Sequence, residues 1–461
     1  MKKIILFIGA FLFSSLFFDK SIGLNLFLFS ILTLVILLIN NKKDFKKQKT
    51  ILYSSLYLIT GLAVFFHDSL LAIIANCVAF FTLIGLLSEH NSSIYIHWLN
   101  GLYSTIAGLF HRNFSVIETT QKVESKHDRD YIHLTKLVFI PMIIVIIFIG
   151  LYQNGNPLFN DLIDRVDFSF INIQWLLFAG LGYYLLSNIH KPVEVEPATT
   201  QDLNTNNLLD KTNDFSELKL KKENQLSIIL IAMLNVLIVI FLITDVTFIL
   251  TNLDIRASVF SEQVHSGINA LIASIIIAII ILLYFFRGDL NFYKDNIIVK
   301  RLAYTWIILN IILVLSIGIK NGQYIYYFGL TYKRIGVLIY LLLSATGLIT
   351  TLLKINQIKN IWYLIRLNTK AAFVVLILAS TINWDNLITN YNFNNAKSMD
   401  FNYLIELSNN NTFLLKEQAK LKELDQNSIQ LIDKKYRRYT HELKTNSWQE
   451  LQYDNLKLDT K

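Results

Sequence analysis

The stretch SLLAIIANCVAFFTLIGLL, residues 69–87, decides the fold class, because it carries no charged side chain along its whole length. A helix needs about 20 apolar residues to cross the hydrocarbon core of a bilayer. Three further stretches have similar length and almost no charge: Leu226–Leu250, Gly267–Phe286 and Ile335–Leu353. Charged residues make up 16% of the chain and its mean hydropathy is +0.45. The sequence therefore predicts an all-α, polytopic integral membrane protein.

Hydropathy predicts about eleven transmembrane helices. The predicted spans are Ile4–Phe18, Ile22–Ile39, Ile51–Phe66, Ser69–Leu87, Leu137–Leu151, Ile171–Ile189, Leu226–Leu250, Gly267–Phe286, Ala303–Ile319, Ile335–Leu353 and Ala371–Ile382. The last is short, and it reaches full thickness only if it recruits residues 367–370 and lets the Lys370 ammonium extend to the interface.

The first apolar stretch imitates a secretory signal peptide, because two lysines precede it. A signal peptide ends in small residues at its cleavage site. The sequence FFDK, residues 17–20, stands at that place instead, and a second apolar stretch begins at Ile22. We therefore expect an uncleaved helical hairpin in preference to a removed signal peptide.

The positions of lysine and arginine predict the orientation, because cytoplasmic loops of membrane proteins carry an excess of both. With the N-terminus inside, the inner segments collect 25 Lys and Arg residues and the outer loops only six, among them Lys320 and Arg334. Ile94–Phe110 is apolar enough for a further span, but crossing there would leave 12 basic residues inside and 19 outside. We expect an interfacial or re-entrant helix there. The predicted location is the bacterial cytoplasmic (inner) membrane, with the C-terminus outside.

Four regions follow from this threading. Residues 1–189 form a first membrane bundle of six helices that includes the interfacial segment 94–110, and residues 226–382 form a second bundle of five. Between them, residues 190–225 contain Pro192 and Pro197 in a polar stretch that is typical of a flexible cytoplasmic linker. Residues 383–461 form a small helical extracytoplasmic tail, in which Ser428 is the predicted cap of a helix that runs through Ile432.

Short motifs between the ninth predicted span and the tail carry a family resemblance. They are Tyr327-Phe328-Gly329-Leu330-Thr331 with Arg334, Asn383-Trp384-Asp385 with Tyr391-Asn392, and Asp400, Tyr403-Leu404 and Leu407-Ser408. This pattern resembles an uncharacterised family of bacterial multi-pass membrane proteins, domain of unknown function 4173, and its relative numbered 4153. Residues 409–412, NNNT, depart from the acid, alanine and proline with which the family usually continues. The resemblance implies a multi-pass membrane fold and brings no known chemistry.

The same motifs contain candidate binding residues at the predicted outer surface. Gly329 gives the backbone freedom just outside the membrane, and Thr331 is a predicted N-cap of the tenth span. Lys333 and Arg334 lie at the positive end of that helix, where a cation is disfavoured unless an anion compensates. Two alternatives follow: a site for an anion or carboxylate, or contact of both basic side chains with lipid phosphates.

Two carboxylates complete the candidate site residues. Asp385 follows the last span at the same predicted surface, so we expect the Arg334 guanidinium to pair with Asp385 or the neighbouring Asn383 and to dock the tail. Asp245 lies near the outer end of the seventh span, and a carboxylate inside the hydrocarbon region is expensive and indicates function. The alternative is that a shift of one helical turn places Asp245 at the interface, where it costs little.

Recognisable catalytic and cofactor motifs are absent from the sequence, which has no Walker A loop and no GxGxxG, HExxH or GxSxG pattern. His127 and His133 are spaced so that they lie on different faces of a helix, and we expect no metal site. No catalytic residue and no cofactor is expected either. Asn76, Asn235 and Asn310 lie within predicted spans, where each is expected to make an interhelical hydrogen bond.

These observations favour a non-enzymatic scaffold or accessory component of the inner membrane, whose outer tail binds an envelope protein partner. The lipid bilayer is its other partner, and nucleic acid is not expected. The alternative is a secondary transporter or channel-like protein that uses Asp245, although the two bundles show no internal repeat. A membrane-embedded enzyme is a third hypothesis, which would need several His, Asp or Glu residues near one membrane face.

Overall fold

The computed structural model describes residues 2–119, most of 141–159, 172–211, 216–251, 257–421 and 424–458. Within these residues the regular structure is helical, apart from a single bridge between Leu208 and Lys359. Helices dominate because a helix satisfies every interior backbone N–H and C=O where no water can reach. The helices are α1 (Lys2–Phe17), α2 (Leu24–Asn40), α3 (Gln48–Phe66), α4 (Leu70–Ser88), α5 (Ile94–Thr119), α6 (Ile173–Ile189), α7 (Glu196–Asn204), α8 (Glu217–Thr251), α9 (Ala257–Phe285), α10 (Ile297–Phe328), α11 (Tyr332–Asn356), α12 (Ile361–Ser380), α13 (Trp384–Asn395), α14 (Phe401–Glu406), α15 (Thr412–Leu421) and α16 (Gln426–Thr445).

Six of the described helices are long and apolar enough to cross a membrane. They are α3, α4, residues 217–247 of α8, α10, α11 and α12, and shorter apolar helices occupy residues 4–17, 24–40, 173–189 and 269–285. The predicted helical fold is thereby confirmed for the described residues, together with six candidate membrane spans. The predicted count of about eleven spans is not confirmed. The helix α12 begins at Ile361, well before the predicted start of the last span, and this extension gives it the length of a span. Seven residues of the predicted span Leu137–Leu151 lie outside the described residues, and the eight that are described are helical. His127 and His133 lie outside the described residues.

The membrane region contains two apolar cores. The first is built mainly from α1–α4 and α6, and the second from α8–α11. Although α12 follows the second bundle in sequence, its Phe373 and Ile377 are buried in the first core. His67, at the end of α3, contacts the Ser380 carbonyl through its Nε2 at 2.9 Å. The predicted division at residue 226 therefore does not separate the packing, because α12 returns to the first bundle.

The contact between α4 and α5 is made by backbone against backbone. A Cβ at Gly85 would overlap the backbone of His97, and one at Gly101 would overlap the backbone of Phe81. Only glycine allows two helices to approach this closely. The apolar segment 94–110 therefore belongs to a helix that lies directly on α4.

Hydrogen bonds keep α5 at one end of the bundle. Near its start, the Asn100 Nδ2 donates to the Thr199 Oγ1 at 3.0 Å, and the Ser104 hydroxyl donates to the Val193 carbonyl at 2.7 Å. Near its end, the Arg112 guanidinium donates to the Asn188 carbonyl at 3.0 Å. Because both regions contact residues 188–199, α5 runs along this end of the bundle, and it is not among the six candidate spans.

The segment expected to be a flexible linker over residues 190–225 is instead folded over residues 190–211. Asp202 of α7 is buried, accepts hydrogen bonds from the Ser93 N–H at 2.7 Å and the Tyr95 hydroxyl at 2.5 Å, and forms an ion pair with Arg366 of α12 at 3.0 Å. Burial raises the pKa of the Asp202 carboxyl, but these hydrogen bonds outweigh burial and leave the pKa lowered. These polar residues thus join α7 to the start of α5 and to α12, and we name this buried cluster of Asp202, Ser93, Tyr95 and Arg366 the α7 clasp.

The tail packs against the end of the bundle as a third apolar core. Its buried members come from the α10–α11 region and from the tail: Ile325, Leu330, Ile335, Ile388, Phe393, Leu404, Leu407, Leu415 and Ile432. The predicted cap of the last long helix was wrong by three residues. Asp425 caps α16 by accepting a hydrogen bond from the Ser428 N–H at 2.9 Å.

Candidate functional site

The turn between α10 and α11 is the centre of the candidate site. Gly329 has a φ of 79°, a left-handed conformation that favours glycine. A Cβ at this position would overlap the side chain of Asn392 in α13. That side chain holds Leu330 from both sides, because its Oδ1 accepts from the Leu330 N–H and its Nδ2 donates to the Leu330 carbonyl at 3.0 Å. Two motifs that α11 and α12 separate in the sequence therefore meet at this turn.

Thr331 is the N-cap of α11, as the sequence predicts, with its Oγ1 3.4 Å from the Arg334 N–H. The Arg334 side chain turns back across the turn. Its Nη1 donates to the carbonyls of Phe328, at 2.8 Å, and Gly329, which are the last residue and the C-cap of α10. The guanidinium carbon also lies 4.0 Å from the centroid of the Tyr324 ring. The negative end of α10 thus compensates a cation that the positive end of α11 disfavours.

Asp385 is only 2% exposed. Its carboxylate accepts hydrogen bonds from the Tyr332 hydroxyl at 2.7 Å and from the Ser408 hydroxyl. The Tyr403 hydroxyl in turn accepts the Tyr332 N–H at 2.9 Å. Burial raises the pKa of the Tyr403 hydroxyl. Through this network the start of α11, the start of α13 and the 403–408 segment of the tail are fixed to one another.

The expected pair between Arg334 and either Asp385 or Asn383 does not form in the structure. Arg334 caps α10, Asp385 is satisfied by two hydroxyls, and Asn383 is the N-cap of α13, where it accepts the Asn386 N–H at 3.1 Å. Arg334, Asp385 and Asn383 each form hydrogen bonds with other groups in place of the expected pair. The tail is still docked at this surface, but by hydrogen bonds from hydroxyls.

Lys435 of α16 is the functional residue that sequence reasoning missed. It is 6% exposed, and its ammonium donates to the carbonyls of Leu407 at 2.7 Å, Ile405 at 3.0 Å and Ser408 at 3.0 Å, and to the Asn411 Oδ1 at 2.9 Å. Burial lowers the pKa of Lys435 to about 8. This one side chain therefore holds the loop that carries the Ser408 hydroxyl.

The tail also contacts two turns of the first bundle. Glu450 accepts hydrogen bonds from the Ser21 N–H at 2.9 Å and the Ser21 hydroxyl at 3.1 Å, and the Leu24 N–H donates to the Leu451 carbonyl at 2.8 Å. Between α3 and α4, the Asp68 carbonyl accepts from the Asn410 Nδ2 at 3.0 Å. Burial raises the pKa of Glu450, but hydrogen bonds from Ser447 and Ser21 outweigh it and lower the pKa to about 2.

Four turns of the bundle therefore meet the tail at one end: α1–α2, α3–α4, α10–α11 and α12–α13. The predicted threading assigns these same four turns to one side of the membrane. The α7 clasp and the α5 helix meet the turns that the threading assigns to the other side. The structure thus groups the turns as the threading does, and we name the tail together with these four turns the capped end.

Asp245 lies in α8 of the bundle and makes none of the capped-end contacts just described. It is 7% exposed, pairs with the Lys320 ammonium of α10, and accepts a hydrogen bond from the Ser316 hydroxyl at 2.5 Å. The sequence places Lys320 in an outer loop, but it lies inside α10, which is much longer than the predicted ninth span. The carboxylate that looked isolated in the sequence is therefore one half of a buried ion pair.

The three asparagines inside predicted spans behave differently from one another. Asn76 donates to the Tyr57 carbonyl at 3.1 Å, and Asn235 donates to the Leu302 carbonyl at 3.0 Å, so both bond to a neighbouring helix. Asn310 donates to the Trp306 carbonyl of its own helix at 2.8 Å. No group of three or more His, Cys, Asp or Glu side chains suited to a metal ion occurs in the described part of the chain.

Comparison with known proteins gives a family and no chemistry. A family profile described as a domain of unknown function, DUF4153, matches residues 4–418, so the chain belongs to that family. This is the relative, numbered 4153, of the family that the motifs resemble, and membership in family 4173 itself is not confirmed. The match extends over both bundles, far beyond the motifs. No curated protein and no solved structure matches the chain.

Proposed function

We propose that this member of the DUF4153 family is a non-enzymatic scaffold or accessory component of the bacterial cytoplasmic membrane, with about eleven spans, the N-terminus inside and the C-terminus outside. The observation that carries the proposal is the capped end, where the tail is hydrogen-bonded to four turns of the bundle. A tail fixed at several points has one orientation relative to the membrane. Such preorganisation lowers the entropic cost of binding a partner.

Charge supports the proposed orientation. The turns at the capped end are poor in lysine and arginine, whereas the segments at the opposite end hold most of the basic residues outside the tail. Cytoplasmic segments are the basic ones in membrane proteins. A reporter fused after Lys461 should therefore be active on the outer side, and activity only in the cytoplasm would contradict this orientation.

Two large apolar side chains support partner binding by the tail. Leu421 is 74% exposed and Trp448 is 56% exposed, and both lie on segments outside the membrane helices. Exposed aromatic and aliphatic side chains are the anchors that protein interfaces bury. We propose that an envelope protein covers them.

Crosslinking in cells tests this proposal on the full chain. A photoreactive amino acid at position 421 or 448 should give one discrete adduct with an envelope protein. The matched control is Leu208, which is also exposed but lies at the opposite end, and it should not give the same adduct. The absence of a discrete adduct at both tail positions would contradict the scaffold proposal.

The buried pair of Asp245 and Lys320 favours a second candidate, a secondary transporter or channel-like protein. Ionisable residues within membrane helices commonly mark ion or proton pathways. In proteoliposomes this candidate predicts an ion or proton flux that Asp245→Asn abolishes while the protein remains folded. Equal flux through the variant and the wild type would remove Asp245 from any pathway.

A further inference from the structure

A cavity of about 640 Å³ opens beside the α10–α11 turn, between the bundle and the tail. Its lining includes Thr331, Arg334, Asp400, Asn402 and Asp425. Small-molecule sites have volumes of this order and use a few placed polar groups to fix the orientation of a ligand. The volume alone does not define a ligand, but the charges of the lining do.

Arg334 places a donor without an acceptor at this cavity. The residue is 8% exposed, and both of its side-chain hydrogen bonds to carbonyls come from Nη1. The Nη2 group finds no acceptor among the described residues, and neither does the enclosed Nε. Of these two groups only the Nε is enclosed, so the Nη2 donor is accessible to an acceptor in the cavity. An oxyanion would supply this acceptor, with a charge-assisted hydrogen bond.

A helix N-terminus adds positive potential beside Arg334. Thr331 caps α11 and lines the cavity. The N-terminus of a helix attracts negative charge. Together with Arg334 this end of α11 defines a pole that favours an oxyanion.

Carboxylates form the opposite pole. Asp400 accepts the Tyr403 N–H at 3.0 Å through its Oδ1, and Asp425 accepts the Ser428 N–H at 2.9 Å. The Asp400 Oδ2 makes no hydrogen bond to a described residue, so it remains an acceptor for a ligand. Hydrogen bonds from the side chain and backbone of Ser428 lower the pKa of the Asp425 carboxyl, so it keeps its negative charge at the cavity. A simple anion would be repelled by two carboxylates, and a simple cation would be repelled by Arg334. Only a molecule that carries both charges satisfies this lining.

We propose that the cavity binds a small zwitterion, with its oxyanion on the Arg334 Nη2 and its ammonium group on Asp400 and Asp425. Two sources share this chemistry: the phosphoethanolamine headgroup of a lipid, and a free amino acid or peptide. Tyrosine side chains favour the headgroup level of a membrane. Near the end of α10, the exposed rings of Tyr326 and Tyr327 have centroids 4.9 and 4.7 Å from the Lys397 ammonium, which suits a position beside lipid headgroups. The site does not depend on which side of the membrane the tail occupies, nor on a protein partner.

Titration of the purified full-length protein tests the proposal. In detergent, O-phosphoethanolamine or glycine should bind saturably and raise the Tm, and inorganic phosphate and ethanolamine should each bind at least about tenfold more weakly. In lipid nanodiscs, phosphatidylethanolamine should be preferred over phosphatidylcholine, whose ammonium cannot donate a hydrogen bond. Binding only in nanodiscs identifies the lipid source, and binding only of soluble probes identifies the free source. The absence of both overturns the proposal, as does phosphate binding as tightly as the zwitterions.

Variants place the ligand in this cavity. Arg334→Gln should weaken binding at least about tenfold, whereas Lys333→Gln, which removes the same charge from the exposed neighbouring position, should not. Asp425→Asn keeps an N-cap residue and should remove the preference for the zwitterion over phosphate. Asn402→Trp fills the cavity from an exposed position without touching the Arg334 contacts. If Arg334→Gln does not fold, the Asn402→Trp variant tests whether the ligand binds in this cavity. Unchanged binding in a folded Asn402→Trp variant would overturn the proposal.

Discussion

Two buried lysines, one in the membrane bundle and one in the tail, are stabilised in different ways. The Lys320 ammonium is paired with the Asp245 carboxylate, whereas the Lys435 ammonium is held by three backbone carbonyls and the Asn411 side chain. Lys320 lies well inside a helix of span length, where an unpaired charge is costly. Lys354, in the last turn of α11, is also buried and donates to the Phe286 carbonyl at 2.6 Å. In the tail, water is close and neutral dipoles are sufficient. The loss of one partner should therefore leave a charge without its counter-charge in the bundle, and unsatisfied carbonyls in the tail.

The largest effect is expected at the bundle pair. Asp245→Asn leaves the Lys320 ammonium without its carboxylate and should lower the free energy of unfolding by about 3–5 kcal/mol. The double variant with Lys320→Met should recover most of this loss, because the charge is removed as well. Unfolding in detergent measures both, with Asp19→Asn in the exposed α1–α2 turn as the control. A double variant as unstable as the single one would show that charge pairing is not what the bundle requires.

A smaller effect is expected in the tail. Lys435→Met leaves three carbonyls and the Asn411 side chain without their donor, and we expect a loss of about 2–3 kcal/mol. Protease cleavage of the 405–411 loop should become faster, while the bundle stays protected. The control is Lys434→Met, which removes the same charge from the exposed neighbouring position. Equal protection in both variants would mean that Lys435 does not hold the loop.

The pH dependence of the capped end sharpens the comparison, because the Glu450 carboxylate is held mainly by hydrogen bonds from Ser21 and Ser447, with the Lys20 ammonium 3.9 Å away. The pKa of Glu450 in the folded protein is lowered from 4.5 to about 2, so its contribution to stability is present above pH 4.5 and is lost as the pH falls toward 2. The protection factor of the Ser21 N–H, which is its intrinsic exchange rate divided by the measured rate at the same pH, should fall over this range. Glu450→Gln should already show a low protection factor at neutral pH and little further change on acidification. If the protection of the Ser21 N–H in the wild type does not depend on pH, the Glu450 carboxylate is not the acceptor that protects it.

The smallest effect is expected between Arg334 and Asp385. They have no hydrogen-bonding partner in common in the structure, so Arg334→Gln and Asp385→Asn should be additive in stability within about 0.3–0.5 kcal/mol. A double-mutant cycle by thermal unfolding measures this. A coupling well above that value would show that the tail is docked by charge, as the bundle pair is, and would remove the contrast between the two regions.

Part of the site could be predicted from the sequence. The conformational freedom of Gly329 and the cap at Thr331 depend on their immediate neighbours in the chain, and both are present in the structure. Lys435 carried a signal that was not used, because it lies on the same helical face as Ile432 and Tyr439, three residues before it and four residues after it. A lysine on the apolar face of a helix is a residue that needs buried acceptors. The partner expected for Arg334 was wrong, because the α10 carbonyls are brought to it by the turn itself.

The sequence by itself determined that the chain is helical and that several helices are long and apolar enough to cross a membrane, because the hydrophobicity of about 20 consecutive residues is a local property. It also indicated which turns share a side, because each span reverses the direction of the chain. Only the tertiary structure decided the partner of each buried polar group. Asp202 and Arg366 are 164 residues apart, and Ser21 and Glu450 are 429 residues apart. Which of many polar side chains meet depends on which helices become neighbours, and that is settled by the packing of all of them together.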